Sequence, residues 1–405
     1  MIFVTRPGQP AIGRPMGPAC VLHIQPRRRP VPNRIPQKRQ RLVKTVKIVP
    51  IRPAATNPVN LEELMTATPH VEFSLRAGTG EIRLKRPEEL NALTLEMVEA
   101  MDRQLADWAT DPQVTGIVLS GTGSQAFCAG VDQRAIYHAL EAGDREYAAQ
   151  FFRRFYQLLY RIAGYAKPIV AVMDGITMGG GVALAAHCKI RVGTRNTYLA
   201  LADCKIGYFP DGGAAAFFNA CPGETGMFLA LTGVALRARG LHRAGLVTHV
   251  VPEDRVALIT PLLVNQLSAP PPVSTLADIE PHVNQIFGLG SVPEILGVLS
   301  VRGGEWAKGT LEQLRTQSPT SLALTHRHLR TAKGQPLETV LKVDYRLSQH
   351  LIDGHDFREG IRAFVIDRDE KPNWQPSDLR EVSEAALDAL FAPLDRAMEW
   401  APAAQ

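Results

Sequence analysis

Hydrophobic positions along the chain follow two periodicities, one of strands and one of helices. Apolar and polar residues alternate through residues 71–75 and again through 82–84, with Gly78 and Gly80 between them, which predicts a β-hairpin. After Thr94, whose hydroxyl can cap a helix, apolar side chains recur at three- and four-residue spacing. The apolar face of this predicted helix consists of Val98, Met101, Leu105 and Trp108.

Strands and helices then alternate as far as about residue 255. Residues 116–120, 168–174 and 190–192 have the apolar character of buried strands, whereas 147–162 has helical spacing. A further helix is predicted to begin near the three glycines 179–181. Because strands that alternate with helices form mixed layers, this part of the chain has the pattern of an α/β fold.

Beyond Pro252 the strand pattern fades and helical patterns remain. Six segments have helical spacing: 261–267, 293–299, 311–316, 337–351, 357–365 and 379–391. We therefore divide the chain into a leader (residues 1–64), an α/β core (65–255) and a helical C-terminal region (256–405).

The leader accounts for the basic character of the protein. The 405 residues carry a net charge of +5, yet the 12 Lys and Arg before Glu62 are accompanied by no acidic residue, so the rest of the chain carries −7. We expect no nucleic-acid partner on this ground. With 11 of the 30 prolines, residues 1–64 are predicted to be disordered. They could instead be an organelle transit peptide, although proline opposes the helix this needs, or an extension before a natural start at Met65.

The remaining composition indicates a cytoplasmic protein, with the mitochondrial matrix as the alternative if the leader is a transit peptide. No apolar run reaches the 18 to 20 residues or so that a membrane helix needs, and we expect no membrane partner. Five cysteines without a CxxC pair predict neither a disulfide framework nor a zinc site.

Three segments that follow predicted strands could carry chemistry. In residues 127–132 a glycine turn can leave an N–H directed into a cleft. Residues 174–183 open a helix whose free N–H groups suit a developing anion, but they lack the lysine of a phosphate-binding loop. Residues 203–213 contain Asp203 and Asp211, which could divide acid, base or nucleophile roles. Taken singly, each segment is more often an ordinary turn.

In this order and spacing, the three segments resemble the crotonase (enoyl-CoA hydratase/isomerase) superfamily. The C-terminal stretches 354–360, 366–369 and 372–374 narrow the resemblance to its 3-hydroxyisobutyryl-CoA hydrolase branch, which serves valine degradation. The resemblance covers the chain from about Val71 to Leu394 and implies a crotonase-like spiral of ββα turns with a helical C-terminal region. It implies an acyl-CoA substrate, no metal, no cofactor besides the CoA of the substrate, and a possible homo-oligomer.

The resemblance also implies roles for individual residues. The backbone N–H groups of Val131 and Gly180 would bind the thioester oxygen. Asp203 would attack the thioester or activate water, and Asp211 would orient the substrate hydroxyl or assist proton transfer. The implied substrate-binding positions are Arg86, Ala129, Gly130, Asp132, Gly179 and Phe155.

Two departures from the pattern of the branch and one comparison with hydratases bear on the chemistry. Asp203 stands where the branch has a glutamate, and its side chain is shorter by one methylene, or about 1.5 Å. This difference matters because about 1 Å of misplacement can cost 100-fold in rate. Arg154 and Phe155 stand where the branch has glutamates, one of which lines the substrate pocket. Ala183 replaces a glutamate that hydratases use, which disfavours hydration. The alternatives to a thioester hydrolase are an isomerase- or hydratase-like enzyme and a weakly catalytic CoA-binding protein.

Overall fold

The strands and helices of the chain are defined from residue 69 onward. The computed structural model describes residues 69–268, 274, 276–395 and 398–402. The predicted leader, residues 1–64, lies outside them. The described residues all belong to the unit Leu61–Gln405.

The described residues form two sheets and a set of helices. The strands are β1 (Val71–Arg76), β2 (Thr79–Leu84), β3 (Gly116–Gly121), β4 (Ala126–Cys128), β5 (Ile169–Met173), β6 (Ile176–Met178), β7 (Ile190–Gly193), β8 (Tyr198–Ala200), β9 (Leu236–Arg237) and β10 (His249–Val250). The helices of the first half are α1 (Leu95–Thr110), α2 (Gln133–Glu141), α3 (Arg145–Gly164), α4 (Gly180–Ala186), α5 (Ala214–Asn219), α6 (Thr225–Thr232) and α7 (Ala238–Arg243).

After β10 the described chain contains helices only. They are α8 (Val264–Leu267), α9 (Leu276–Phe287), α10 (Val292–Arg302), α11 (Glu305–Arg315), α12 (Pro319–Ala332), α13 (Leu337–Ile352), α14 (His355–Ile361) and α15 (Glu384–Phe391). Short 3-10 helices span Pro87–Glu89, Asp203–Ile206, Glu253–Leu258 and Leu379–Glu381, and a π-helical turn spans Arg362–Ile366.

The chain winds as a spiral in which successive turns add one strand to each sheet. The larger sheet has the order β1-β2-β3-β5-β7-β10 and the smaller sheet has the order β4-β6-β8-β9. The chain adds a strand first to the larger sheet and then to the smaller one, in the successive pairs β3 and β4, β5 and β6, and β7 and β8. Within each sheet these strands are parallel. This ββα spiral is the fold that the sequence resemblance implied.

The strongest periodicities predicted their elements correctly. The hairpin forms with Val71 opposite Leu84 in antiparallel register, and the Thr94 hydroxyl accepts a hydrogen bond from the N–H of Met97. The smaller sheet was not predicted, because β4, β6 and β8 have three residues each and leave no measurable alternation. Helix α9 was missed as well, since Pro281 lies inside it.

The C-terminal helices support the α/β part directly. Helix α13 packs against α3, and α14 packs against the 3-10 turn Asp203–Ile206. At that second contact the two backbones touch, since a Cβ on Gly360 would lie 2.1 Å from the carbonyl oxygen of Ile206. A glycine is therefore needed at position 360 for α14 to approach the turn.

This contact predicts opposite effects for two glycine substitutions in helices. Gly360→Ala should lower the free energy of unfolding by about 1–3 kcal/mol, because the added methyl group forces α14 away from the turn. Gly297→Ala in α10, where an added Cβ meets no atom within 4 Å, should raise it by about 0.5–1 kcal/mol. Urea unfolding of both variants measures the two effects, and equal effects of the same sign would contradict the packing argument.

Candidate active site

A cavity of about 270 Å³ lies where the parallel strands of the smaller sheet end. The segments that directly follow β4, β6 and β8 each contribute to its wall, as expected for ligand sites at the carboxyl ends of parallel strands. The wall is formed by Glu89, Ala92, Ala129, Gly130, Val131, Asp132, Gln133, Arg134, Ile136, Phe152, Met178, Gly179, Gly180, Ala202, Asp203, Ile206, Tyr208, Asp211, Phe357 and Val365. All four residues to which the resemblance assigned catalysis are among them.

Two backbone N–H groups meet at this wall. Leu93 binds both sides of the turn after β4, donating to the carbonyl of Gly130 and accepting from the N–H of Asp132. The N–H groups of Val131 and Gly180 then donate no hydrogen bond within the described chain. A Cβ on Gly130, which has a φ of +107°, would lie 3.2 Å from the nitrogen of Gly180. The glycine therefore lets the two N–H groups come close together.

Asp203 begins the 3-10 turn beside these N–H groups. Asp203 is 8% exposed, and its Oδ2 is buried with no hydrogen-bond partner among the described residues. Burial raises the pKa of Asp203 from 3.8 to about 7, against a smaller opposing effect of its own backbone N–H. Oδ1 lies 3.9 Å from the position of a Cβ on Gly179, which places the carboxyl beside the turn that precedes Gly180. The geometry is that of a base poised near neutral pH.

Asp211 faces the same cavity in a more hydrogen-bonded setting. The Tyr156 hydroxyl donates to its Oδ2 at 2.5 Å, and the Tyr208 hydroxyl makes a longer contact of 3.4 Å with the same oxygen. Burial first, and then the charge of Asp203, raise the pKa of Asp211 well above its ordinary value, while the tyrosine hydrogen bonds act in the opposite direction.

The two carboxyl groups therefore ionise in sequence. Since a charge on either carboxyl opposes a charge on the other, the second proton leaves at a higher pH than the first; burial raises the pKa of Asp203 to about 7 and that of Asp211 well above its ordinary value. The tyrosines occupy Oδ2 of Asp211, and Oδ1 makes no hydrogen bond within the described chain. One group is thus a carboxylate that can accept a proton, and the other is a carboxylic acid that can donate a hydrogen bond.

Four of the predicted substrate-binding residues line the cavity: Ala129, Gly130, Asp132 and Gly179. Asp132 also caps α2, because its Oδ1 accepts from the N–H of Ala135. Gly179 has a φ of +46° and a ψ of −124°, a conformation that favours glycine and turns the chain into α4.

Arg86 is not among the residues that line the cavity, and its role in substrate binding stays a prediction. Its guanidinium donates to Oδ2 of Asp132 at 3.0 Å and to the carbonyl of Ala92 at 2.7 Å, and its side chain is only 15% exposed. The charge of Arg86 is therefore used to brace the turn after β4. The sequence could not indicate this, because Arg86 and Asp132 are 46 residues apart.

Phe155 is likewise placed behind the wall. Its ring is fully buried and lies 3.3 Å from the position of a Cβ on Gly180, whereas Phe152, one turn earlier on α3, lines the cavity. Arg154 points away and forms an ion pair with Glu99. Neither departure from the family pattern therefore adds a charge to the described cavity wall.

Tyr156 and Tyr208 are the site residues that sequence analysis missed. Both are buried, and both hydroxyls bind Asp211. For Tyr156 the available signal was a tyrosine on an otherwise apolar helix face, because a buried hydroxyl needs a partner; Tyr208 lies in a loop and gave no such signal. Arg134 was also missed; it lines the cavity and donates to the carbonyl of Val365.

Metal-ligand clusters and membrane-spanning helices are both missing from the described residues. Among them, no group of three or more His, Cys, Asp or Glu side chains is arranged to hold a metal ion. No helix within the described ranges is both long and apolar enough to cross a membrane. Cys128, Cys188, Cys204 and Cys221 are buried and form no disulfide.

Comparison with known proteins places the chain among CoA enzymes. The family described as enoyl-CoA hydratase/isomerase matches residues 79–391. The chain is 40% identical over 347 residues to "3-hydroxyisobutyryl-CoA hydrolase, mitochondrial" of Homo sapiens, which covers 81% of this chain and 90% of that protein. It is 39% identical over 346 residues to the protein of the same name from Danio rerio, covering 80% of this chain and 90% of the relative.

A solved structure agrees with the spiral fold. The crystal structure of an enoyl-CoA hydratase from Rhodobacter sphaeroides 2.4.1 superposes with a TM-score of 0.78 at 33% sequence identity. The match covers 82% of this chain and 99% of that one. The two kinds of comparison thus agree on the fold, while the printed names differ in the reaction.

The burial of Asp203 predicts a pH-dependent effect on stability. The pKa of Asp203 is raised on folding, so its contribution to the free energy of unfolding is present below about pH 4 and is lost as the pH rises to about 7. Asp203→Asn removes this pH-dependent loss. The free energy of unfolding of the variant minus that of wild type should therefore increase by about 2–3 kcal/mol between about pH 5 and pH 8. Urea unfolding at several pH values measures this difference, and a difference independent of pH would contradict the burial argument.

Proposed function

This chain belongs to the enoyl-CoA hydratase/isomerase family, and on that premise we propose that it hydrolyses the thioester of a short hydroxyacyl-CoA of the 3-hydroxyisobutyryl type. The curated relatives at about 40% identity bear the name of that hydrolase. The observation that carries the proposal is the pairing of Asp203 and Asp211 in one cavity with the two N–H groups of Val131 and Gly180.

The proposed reaction begins at Asp203. Ionised Asp203 removes a proton from water, and the resulting hydroxide adds to the thioester carbonyl carbon. The C–S bond then breaks, the carboxylic acid forms, and the proton passes to the sulfur of CoA. Direct attack by the Asp203 carboxylate is the second route; it forms an acyl anhydride that water then hydrolyses to the same products.

The N–H groups of Val131 and Gly180 would stabilise the oxyanion of the tetrahedral intermediate. Both strengthen their hydrogen bonds as negative charge develops on the oxygen, which is what lowers a barrier. Loss of one such donor typically costs about 2.7–4 kcal/mol. Because both are backbone groups, the glycines at 130 and 179 that shape the turns are the positions through which mutation can reach them.

Asp211 would recognise the hydroxyl group of the substrate. Its protonated carboxyl can donate from Oδ1 while Tyr156 and Tyr208 hold Oδ2. The apolar residues of the cavity wall would accept a short branched chain; they include Ile136, Phe152, Met178, Phe357 and Val365. A hydroxyacyl group therefore fits both the polar and the apolar parts of the cavity.

Ala183 distinguishes hydrolysis from hydration. The resemblance places the second catalytic carboxylate of hydratases at this position, and here the side chain is a buried methyl group. Its Cβ lies 2.9 Å from the position that a Cβ on Gly212 would take, so the glycine lets the loop that carries Asp211 pack against Ala183. A methyl group in place of that carboxylate supports hydrolysis over the hydration named for the solved neighbour.

The proposal needs water and CoA thioester as reactants and no other cofactor. The oligomeric state stays a prediction. The expectation of a cytoplasmic protein gains no support from the relatives, whose printed names both say mitochondrial. These names agree with the alternative, the mitochondrial matrix.

Release of free thiol from a panel of acyl-CoA thioesters tests the function. We expect release from 3-hydroxyisobutyryl-CoA and at least about tenfold lower kcat/KM for isobutyryl-CoA, because the latter leaves Asp211 without its partner. Crotonyl-CoA should show neither thiol release nor loss of its enoyl absorbance. Loss of that absorbance without thiol release would favour the hydratase alternative, and binding without turnover would favour a CoA-binding protein.

Asp203→Glu tests whether the turn is adapted to the shorter side chain. Since the Asp203 side chain is already buried in the cavity wall, an added methylene should misplace the carboxylate and lower kcat by about 10- to 100-fold. Asp203→Asn, which keeps the size and removes the base, should abolish thiol release. Faster hydrolysis by Asp203→Glu would mean that Asp203 is an impaired form of a longer base.

A further inference from the structure

A buried histidine–aspartate pair lies behind the loop that carries Asp211. The Nε2 of His328 on α12 is 2.6 Å from Oδ1 of Asp344 on α13, and their side chains are 1% and 0% exposed. The His328 ring packs between the rings of Phe209 and Phe391. Neither residue lines the described cavity wall, so the pair belongs to the layer outside it.

Asp344 of this pair and His187 together bind one peptide group of the Asp211 loop. The N–H of Gly213 donates to Oδ2 of Asp344 at 2.7 Å, and the carbonyl of Gly212, which belongs to the same peptide group, accepts from Nε2 of His187 at 2.7 Å. One peptide plane is therefore held at both ends. It is the second peptide group after Asp211. The carbonyl of Asp211 accepts a hydrogen bond from the N–H of Ala214, which closes the turn.

Both glycines of the turn have left-handed backbone conformations. Their φ angles are +62° at Gly212 and +83° at Gly213, and a Cβ on Gly213 would lie 2.7 Å from the His187 ring. Glycine adopts many other conformations at little cost, so the turn needs outside contacts to keep this one. Asp344 and His187 supply them.

The hydrogen-bond pattern assigns the proton of the pair. The Gly213 N–H can only donate, so Oδ2 of Asp344 accepts. The Nδ1 of His328 is buried and has no partner. When the proton is on Nε2, Nδ1 carries only a lone pair, whereas the opposite tautomer would leave a buried N–H at Nδ1 unsatisfied. The pattern is satisfied when His328 is neutral and Asp344 is an anion that accepts two hydrogen bonds.

Four titratable groups from three parts of the fold face Asp211. Tyr208 and Asp203 lie on the same loop region, Tyr156 lies on α3, and Asp344 approaches from α13. Burial and the charge of Asp203 raise the pKa of Asp211 most, and the charge of Asp344 acts in the same direction. The pKa of His187 is lowered by its own burial, so His187 adds no compensating charge near neutral pH.

We propose that Asp344, oriented by His328, is a positioning residue for Asp211, fixing the direction of its carboxyl group through the Gly213 N–H and placing a second negative charge behind it. The inference rests on the proposed function, in which Asp211 acts as a carboxylic acid. It differs from a purely structural role because it predicts a change in the protonation of Asp211.

Asp344→Asn tests this with the side-chain size retained. The amide oxygen can still accept from Gly213, but the charge is lost, so Asp211 should ionise at lower pH than in wild type. The alkaline limb of the kcat–pH profile should move in the same direction, and kcat should fall by about 10- to 100-fold with KM within about threefold. A carbon-13 NMR titration of aspartate carboxyl groups, with the Asp211 signal assigned through Asp211→Asn, reads the ionisation directly.

Two further variants separate positioning from folding. His328→Gln retains a donor for Asp344 and should leave the Asp211 titration near that of wild type, with a smaller loss in kcat. Ser348→Ala alters a fully buried hydroxyl on the same helix that bonds within α13 and not to the loop, and should change neither the titration nor the pH profile.

An Asp211 titration in Asp344→Asn identical to wild type would overturn the inference, as would a loss of activity matched by Ser348→Ala. The proposed function fails separately, when wild type releases no thiol from any thioester in the panel. Because the NMR titration needs no turnover, it still decides the effect of Asp344 on Asp211 in that case.

Discussion

The burial of the Asp203 carboxyl, which forms no ion pair with any described residue, is the constraint on which the site depends. One oxygen of this carboxyl has no partner, and the pKa of Asp203 is raised to about 7 as a result. Nearby arginines are engaged elsewhere, since Arg86 binds Asp132 and Arg134 donates to the carbonyl of Val365. A carboxylate that lacks a counter-ion is a strong base for its type, and this strength is obtained at the expense of stability.

The helical C-terminal region supplies the structure that keeps this unfavourable arrangement in place. Helix α14 presses against the Asp203 turn through Gly360, and the N–H of Ser318, just before α12, donates to the carbonyl of Cys204 in that turn. The Asp211 loop is held by Asp344 in a comparable way. Both acidic loops thus depend on residues more than a hundred positions further along the chain.

Sequence reasoning succeeded where the information was local. The β1–β2 hairpin, α3 and the glycine turns around Val131 and Gly180 follow from periodicity and from motifs of a few residues. The three-residue strands of the smaller sheet, by contrast, are defined by their neighbours. The same distinction applies in the site, because the position of Arg86 is determined by Asp132, that of Phe155 by the face of α3 that packs inward, and the hydrogen bonds of Asp211 by Tyr156. Only the folded chain brings these partners together.

The pH dependence of kcat/KM for thioester hydrolysis tests the central claim most directly. If buried Asp203 is the base, kcat/KM should rise with an apparent pKa of about 7, since the reaction needs its ionised form, and should fall again only at the higher pH at which Asp211 ionises. An apparent pKa near 4, the ordinary range of an exposed aspartate, would contradict the account, because it would show that burial does not raise the pKa of the group that performs the reaction.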